Sequence, residues 1–302
     1  MAKLVIVVFG ATGRQGGGVV EALLKNDIFE VRGVTRNTKS DKAKALEIQG
    51  VKVVEGNLDD PKSLADILSG CYGVFGLTNY WELFDSNKEL QQGKNLVDAC
   101  KAAGVKHLIF SGAPDIKELL GKSCPHTDGK AEIAKYMFAS GVPSTLVRYS
   151  LYVGTLLRGF LKDHVNKDDK GVFVIEMPLE GKPMDFIAVH GAGNAVAAIF
   201  ASPEAYIGKS IGLSGDRKTI QELADIMGKH LAPKTFKASE ITIEQYYNSG
   251  LPGAKILDTM LEAFQKGIMD ADLELTKQLD PTTMSLEDWV KANKDALNAT
   301  YQ

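Results

Sequence analysis

The chain has 302 residues, of which 44% are hydrophobic and 24% charged, and its formal net charge at pH 7 is −3. This size and composition suit one large α/β domain, or a larger domain with a smaller companion. Because the chain lacks a basic balance, direct binding of nucleic acid is not expected.

The cysteine pattern and the hydropathy pattern indicate the compartment. Cys71, Cys100 and Cys124 are odd in number, widely spaced and free of any CxxC pairing, which argues against a disulfide framework or a zinc site. No segment approaches the roughly 20 apolar residues of a membrane span. The run Leu4–Phe9 is too short for a signal peptide and leads directly into a glycine turn. We therefore expect a cytoplasmic protein without bound metal, with the nucleus as a second compartment.

Short apolar runs alternate with helix-like segments through the first half of the chain. The predicted strands are Leu4–Phe9, Val31–Val34, Val51–Val54, Val74–Leu77, His107–Phe110 and Ser144–Val147. The predicted helices between them are Gly17–Lys25, Asp41–Gln49, Pro61–Leu68, Asn87–Ala103 and Lys130–Ala139. This alternation is typical of parallel βαβ units. It predicts an α/β fold with a doubly wound parallel Rossmann sheet that binds its ligand at the carboxyl ends of the strands.

The alternation loosens after about Tyr152. Strand-like pieces remain at Val172–Glu176 and Ile211–Leu213. The predicted helices of this half are Gly191–Ala201, Thr219–His230, Ile243–Asn248, Ala254–Lys266 and Leu286–Ala296. We predict a Rossmann domain over residues 1–152 and a smaller, mainly helical C-terminal lobe over 153–302, with some segments of the second half returning to the sheet.

A glycine-rich turn follows the first predicted strand and opens a helix. Its residues are Gly10, Ala11, Thr12, Gly13, Arg14, Gln15 and Gly16. In this spacing the first glycine permits the tight turn, the second lets the backbone approach a pyrophosphate, and the third allows close packing of helix on strand. The helix N-terminus then presents free N–H groups to the phosphates. The alternative is that the glycines serve only the turn and its packing.

The residues after the second strand indicate which dinucleotide binds. NAD-preferring sites usually place a carboxylate there, whereas this strand ends in Arg36, with Lys39 and Lys42 close behind. A guanidinium makes charge-assisted bonds to a 2′-phosphate, so the sequence favours NADP(H). The alternative is that Arg36 is a solvated loop cation.

The usual catalytic pair of short-chain dehydrogenases is missing. That pair is Tyr-x-x-x-Lys, in which the phenol delivers a proton, and none of the nine tyrosines has a lysine four residues later. The corresponding stretch is His126-Thr-Asp-Gly-Lys130. Histidine can donate a proton near neutral pH, but His126 is equally interpreted as a polar loop residue. Lys130 is interpreted as an anchor for the ribose or the nicotinamide, with a catalytic acid or a surface lysine as alternatives.

Two further strand ends carry candidate contacts. The fourth strand ends in Thr78, Asn79, Tyr80 and Trp81, at the place where the nicotinamide end of a dinucleotide would lie. The alternative is that the two aromatic residues of this group only cover the core. Asn57 and Leu58, after the third strand, are placed to contact the adenine. The following pair of aspartates alternatively serves only as a helix cap.

Several blocks together resemble the NmrA-like family, an atypical branch of the short-chain dehydrogenases. The blocks are Gly10–Gly17, Val34–Asn37, Thr78–Glu82, His126–Lys130, Gly141–Pro143, Val147–Arg148, Pro183–Asp185, Gly250–Ala254 and Leu286–Trp289. The resemblance spans essentially the whole chain and implies a Rossmann lobe, a smaller C-terminal lobe and a preference for NADP(H). It also implies cofactor contacts at Gly10–Gly16, Arg36, Asn57, Leu58, Thr78, Asn79, Tyr80, Lys130 and the stretch Tyr152, Val153, Gly154 and Thr155.

One departure weakens this correspondence. Relatives often read Tyr-Phe-x-Glu-Asn where this chain reads Tyr152-Val-Gly-Thr-Leu156. The departure weakens the expectation of side-chain contacts to the nicotinamide end there and leaves backbone contacts possible.

The resemblance implies a sensor of the NADPH/NADP ratio. A change in this ratio would alter the association of a homodimer and the binding of regulatory protein partners. We therefore expect an NADP(H)-binding redox sensor without confident catalytic residues. The alternative is an NADPH-dependent reductase of a quinone or an aromatic, unsaturated substrate, with Lys130, His126 or water supplying the proton. Mobile loops around Tyr80–Asn87 and Ser123–Asp128 are the candidate switching elements.

Overall fold

The structure is a computed structural model that describes residues 2–251, 253–269 and 271–302. Its strands are β1 Leu4–Val8, β2 Phe29–Thr35, β3 Lys52–Glu55, β4 Gly73–Leu77, β5 His107–Gly112, β6 Ser144–Tyr149, β7 Leu151–Tyr152, β8 Val165–Lys167, β9 Phe173–Met177, β10 Met184–Ile187, β11 Ser210–Leu213, β12 Asp216–Lys218 and β13 Phe236–Glu240. Within these ranges, no helix is long and apolar enough to cross a membrane.

The helices follow in the same order. They are α1 Arg14–Leu24, α2 Asp41–Ile48, α3 Pro61–Leu68, α4 Tyr80–Leu83, α5 Ser86–Ala102, α6 Ile116–Leu120, α7 Pro125–Ala139, α8 Phe160–Asp163, α9 Gly193–Ala201, α10 Pro203–Tyr206, α11 Ile220–His230, α12 Ile243–Tyr247, α13 Ala254–Gln265, α14 Leu273–Leu279, α15 Leu286–Ala292 and α16 Lys294–Thr300, with a 3₁₀ turn at Val153–Leu156.

A seven-stranded parallel sheet forms the centre of the described chain. Its strand order is β11-β6-β5-β4-β1-β2-β3, so the chain winds outward in both directions from the pair β1–β4. The edge strand β11 comes from the second half of the sequence and places Ile211 beside Val147. The predicted doubly wound Rossmann fold is therefore confirmed, and the exact domain division at residue 152 stays a prediction.

The two faces of the sheet bury separate cores because strand residues alternate in direction. In β1, Ile6 and Val8 belong to a cluster that includes α1 and α9, whereas Val7, with Phe9 just after the strand, belongs to a cluster that includes α3, α5 and α7. Both faces are therefore covered by helices, as the continuous apolar strands predict.

The C-terminal lobe has its own core, which includes Leu156, Ile175, Leu223, Leu261 and Val290. It is mainly helical, as predicted, and also contains two small sheets, β12-β10-β7 and β13-β9-β8. Of these strands only β9 corresponds to a predicted one. The others are two to five residues long, too short for a periodic pattern to be recognised.

Two helix boundaries differ from the predictions for local reasons. Helix α7 begins at Pro125 rather than Lys130, because proline at the first helical position fixes a helical φ and the Asp128 carboxylate accepts the Cys124 N–H at 3.1 Å. The predicted helix Leu286–Ala296 is two helices, α15 and α16. The break is at Asn293, whose side-chain amide donates to the Trp289 carbonyl at 2.9 Å.

Candidate functional site

The glycine turn lies where β1 gives way to α1, at the carboxyl edge of the sheet. Gly10 has φ +62°, a conformation that glycine adopts without strain. A Cβ on Gly16 would lie 2.3 Å from the Gly10 carbonyl oxygen and 2.8 Å from that of Phe9. The helix therefore sits directly on the strand end, and this contact leaves no room for a side chain at residue 16.

The N-terminus of α1 is open and electropositive. Gly13 is its N-cap and makes no side-chain cap hydrogen bond, and the first turn contains no acidic residue. The first N–H groups of a helix have no intrahelical acceptor, and the helix dipole is positive at this end. The turn therefore offers amide donors to an anion, with Arg14 at the first helical position.

The stretch after β6 packs beside the same turn. The Gln15 amide donates to the Tyr152 hydroxyl, and the Thr155 hydroxyl donates to the Tyr152 carbonyl at 2.7 Å. Val153 is buried, and Gly154 contributes to an open cavity of about 460 Å³ that Arg14 also lines. The structure thus brings the predicted Tyr152–Thr155 contacts next to the glycine turn.

Arg36 lies one residue beyond the end of β2 and is bound by a carboxylate. Its Nη1 donates to Glu82 Oε2 at 2.8 Å and its Nη2 to Glu82 Oε1 at 3.2 Å. The two side chains remain 71% and 48% exposed. The predicted 2′-phosphate contact is therefore at the surface of the carboxyl edge, in a bidentate ion pair that the sequence analysis did not anticipate.

The third strand end is organised by its own loop. The Asn57 side chain accepts the Asp59 N–H at 3.0 Å, and the Leu58 carbonyl accepts the Asn95 amide at 2.8 Å. Asp60 caps α3 by accepting the Lys62 N–H, which confirms the helix-cap interpretation for that residue.

Lys130 projects from α7 to the end of β4. Its ammonium donates to the Thr78 carbonyl at 3.1 Å and to the Thr78 hydroxyl at 3.2 Å. It also forms an ion pair with Glu89 on α5, a residue that is fully buried. The hydroxyl of Thr78 donates to the same Glu89 oxygen at 2.8 Å. The predicted contacts Thr78 and Lys130 therefore lie together, joined by Glu89.

Burial and the neighbouring carboxylate act in opposite directions on the pKa of Lys130. Burial lowers the pKa of Lys130, and the neighbouring Glu89 carboxylate offsets part of that effect. The other Glu89 oxygen is buried without a hydrogen-bond partner among the described residues, in a space that exists because residue 129 is glycine. A Cβ on Gly129 would lie 2.8 Å from that oxygen.

His126 lies in the first turn of α7 rather than in a loop, so that interpretation of it was wrong. Its Nε2 is 3.4 Å from the Met260 sulfur, and its Nδ1 is 3.6 Å from Cys124 Sγ. Burial, with a smaller effect of the Lys130 charge, lowers the pKa of His126 to about 4. The imidazole is therefore neutral at physiological pH and carries no readily released proton.

An aromatic cluster covers this end of the site. Asn79 is the N-cap of α4 and makes no side-chain cap bond, and Tyr80 is buried behind it. The ring centroid of Trp81 lies 5.5 Å from that of Tyr80 and 5.4 Å from that of His126. Phe84 is 63% exposed and adopts a left-handed φ of 48°. A planar ring of a ligand could stack on these aromatic side chains.

The two segments predicted as switching loops are largely helical. Residues 80–83 form α4, α5 begins at Ser86, and α7 begins at Pro125, so most of these residues lie in helices rather than in the predicted loops. Whether they move stays a prediction.

Glu89 and Glu82 were not predicted from the sequence. Residue 89 occupies the apolar stripe of α5, four residues before Gly93 and seven before Leu96, so its helical spacing was a usable signal. Nothing comparable indicates Glu82, because β1 separates the ends of β2 and β4 in the sheet.

The sequence model of the NmrA-like family matches residues 2–291. The chain belongs to the NmrA-like family. The NmrA-like family domain-containing oxidoreductase himF of Aspergillus japonicus is 32% identical over 216 residues, a segment that covers 66% of this chain and 64% of that protein. The chain therefore matches slightly less than two thirds of that relative's length.

Solved structures share the fold of this NmrA-like protein. NmrA, a negative transcriptional regulator crystallised with NADP, has a TM-score of 0.80 at 19% identity and covers 96% of this chain and 95% of its own. An NADPH-dependent quinone oxidoreductase of Escherichia coli, crystallised with NADPH, has a TM-score of 0.78 at 22% identity, over 96% and 99%. At these identities the likeness extends to the fold and not to the activity.

Proposed function

We propose that this NmrA-like protein binds NADP(H) at the glycine turn and acts as a redox sensor rather than as a dehydrogenase. Binding of a dinucleotide is supported by the uncapped N-terminus of α1 beside the close contact at Gly16. The structures of NmrA crystallised with NAD and with NADP add support by analogy of fold.

The preference for the phosphorylated cofactor rests on Arg36. Its guanidinium is exposed at the strand end where the adenosine ribose of a Rossmann ligand lies. A hydrogen bond to a charged group contributes about 1.5–3 kcal/mol, which corresponds to a roughly ten- to hundredfold preference for NADPH over NADH.

The observation that carries the sensor function is the state of Lys130 and His126. The Lys130 ammonium is bound by Glu89 and Thr78, and the His126 imidazole is neutral at physiological pH. The position at which related enzymes place the proton-donating phenol therefore holds a neutral histidine. This arrangement supports the proposal of cofactor binding without turnover.

A sensor needs two states that the two cofactor forms favour differently. We propose that the NADPH/NADP ratio changes the homodimer and its regulatory protein partners, in the cytoplasm and also in the nucleus. No direct contact with nucleic acid or membrane is part of this proposal.

A second candidate is an NADPH-dependent reductase of a quinone or enone. It is favoured by the stacking surface of Tyr80, Trp81 and His126 at the end of β4, and by the oxidoreductase names of curated relatives. In this function NADPH supplies the hydride, and Lys130 or water supplies the proton.

The test combines binding with turnover. Native mass spectrometry measures the oligomeric mass with NADPH and with NADP, and NADPH oxidation is followed against a panel of quinones and enones. Binding with a change of mass and no turnover supports the sensor. Turnover that Lys130→Ala abolishes, but Lys135→Ala does not, identifies a reductase. Lys135 is the matched control because it lies exposed on the same helix.

A further inference from the structure

Arg36 and Glu82 form a bidentate ion pair between residues 46 positions apart in sequence. The two terminal nitrogens of the guanidinium donate to the two oxygens of one carboxylate. The same two nitrogens can donate to the oxygens of a phosphate. The pair joins the end of β2 to α4, the segment that closes the end of β4.

The pair is open to water, unlike the ion pair at Lys130. The Arg36 and Glu82 side chains are 71% and 48% exposed, whereas those of Lys130 and Glu89 are 17% and 0% exposed. Exposed ion pairs contribute little net free energy because water competes for both partners. A stronger anion therefore displaces Glu82 from Arg36 at little cost.

We propose that Glu82 is a specificity-determining residue that competes with the 2′-phosphate of the cofactor for Arg36. The proposal rests on the proposed binding of NADP(H). A dianionic phosphate either takes the place of the carboxylate or is repelled by it at the same guanidinium, so Glu82 weakens binding of the phosphorylated dinucleotide. NAD(H) has no 2′-phosphate and leaves the pair intact.

Displacement of Glu82 changes how α4 is held. Trp81 and Phe84 flank Glu82 on this segment, are 45% and 63% exposed, and pack edge to face with ring centroids 6.1 Å apart. A phosphorylated ligand therefore alters the surroundings of an exposed aromatic surface, and an unphosphorylated one does not. The ion pair therefore distinguishes NADP(H) from NAD(H); it does not distinguish NADPH from NADP, which both carry the 2′-phosphate.

The test uses 2′,5′-ADP and 5′-AMP as probes, because they differ only in the 2′-phosphate and carry no nicotinamide. Calorimetry measures both affinities for the wild type, for Glu82→Gln and for Glu55→Gln. We expect Glu82→Gln to tighten binding of 2′,5′-ADP by roughly two- to fivefold and to leave the affinity for 5′-AMP unchanged.

Glu55→Gln is the matched control. Glu55 is exposed and pairs in register with Thr35, one residue before Arg36. The substitution therefore removes the same charge beside the site and leaves the ion pair in place. An unchanged affinity ratio in Glu82→Gln, or an equal change in Glu55→Gln, overturns the role of Glu82 and leaves the proposed function standing. If the wild type binds neither probe, the proposed function fails and the role of Glu82 fails with it.

Fluorescence provides an independent readout. The chain has two tryptophans, so Trp289→Phe leaves Trp81 as the emitter. We expect 2′,5′-ADP, but not 5′-AMP, to shift its emission, and we expect Glu82→Gln in the same background to remove the ligand-dependent shift. A shift of equal size with both probes contradicts the proposal.

Discussion

Lys130 and Arg36 are each held by a carboxylate, in opposite surroundings. The pair Lys130–Glu89 lies between α5 and α7 at the end of β4, with Glu89 fully buried, whereas Arg36–Glu82 lies in water at the edge of the same sheet. A buried charge depends on its partner to offset the cost of removing it from water, whereas an exposed charge stays solvated without a partner. The first pair therefore fixes the architecture of the site, and the second is free to exchange its carboxylate for a ligand.

The largest expected effect comes from breaking the buried pair. Glu89→Gln leaves the Lys130 ammonium buried without its countercharge, so the free energy of unfolding should fall by about 3–5 kcal/mol. Urea denaturation of the wild type and the variant measures the difference.

The exposed pair is the matched control for that prediction. Glu82→Gln should change the free energy of unfolding by less than about 1 kcal/mol. The double variant Glu89→Gln/Lys130→Met removes both buried charges and should recover much of the lost stability. Similar losses in Glu89→Gln and Glu82→Gln would remove the distinction between the two pairs.

In the glycine turn, close backbone contacts rather than charges decide which substitutions are tolerated. Gly16→Ala places a Cβ 2.3 Å from the Gly10 carbonyl oxygen, so the turn must shift. We expect the free energy of unfolding to fall by about 3 kcal/mol, together with loss of dinucleotide binding. At Gly17 the nearest atom would be 3.4 Å away, and Gly17→Ala should keep both. Equal behaviour of the two variants in thermal denaturation and calorimetry would show that the close contact is unimportant.

A buried group without a countercharge should respond to pH instead. His107 is fully buried, and burial lowers its pKa to about 4. Between about pH 6.5 and 4 the unfolded chain binds this proton and the folded chain does not, so stability falls as the pH falls.

The size of this effect is measurable by substitution. At pH 5 His107 should reduce the free energy of unfolding by about 2 kcal/mol relative to neutral pH. Urea denaturation at both pH values should therefore show a smaller loss for His107→Leu than for the wild type. Identical losses would mean that the histidine is protonated in the folded protein.

The fold and the glycine turn were predictable because their signals are local. The β1 residues are apolar on both faces, and Gly10 and Gly16 follow at the spacing that a strand-to-helix turn requires. Asp60 before Pro61 likewise marks the start of α3 through its own side chain. Such features depend on neighbours within a few residues.

The partners of the two cations depend on tertiary structure. Glu89 meets Lys130 because α5 packs against α7, and a glutamate near a helix N-terminus ordinarily indicates a favourable interaction with the helix dipole. Glu82 meets Arg36 across the end of β1, which no spacing in the sequence encodes. His126 shows the same limit, since its neutrality comes from burial beside Met260.

The central claim is tested most directly by calorimetric titration of NADPH and NADH into the wild type and Arg36→Glu. We predict that the wild type binds NADPH roughly ten- to hundredfold more tightly than NADH and that the variant loses this preference while still binding NADH. Absence of heat with either dinucleotide, or an unchanged preference in the variant, would contradict the account.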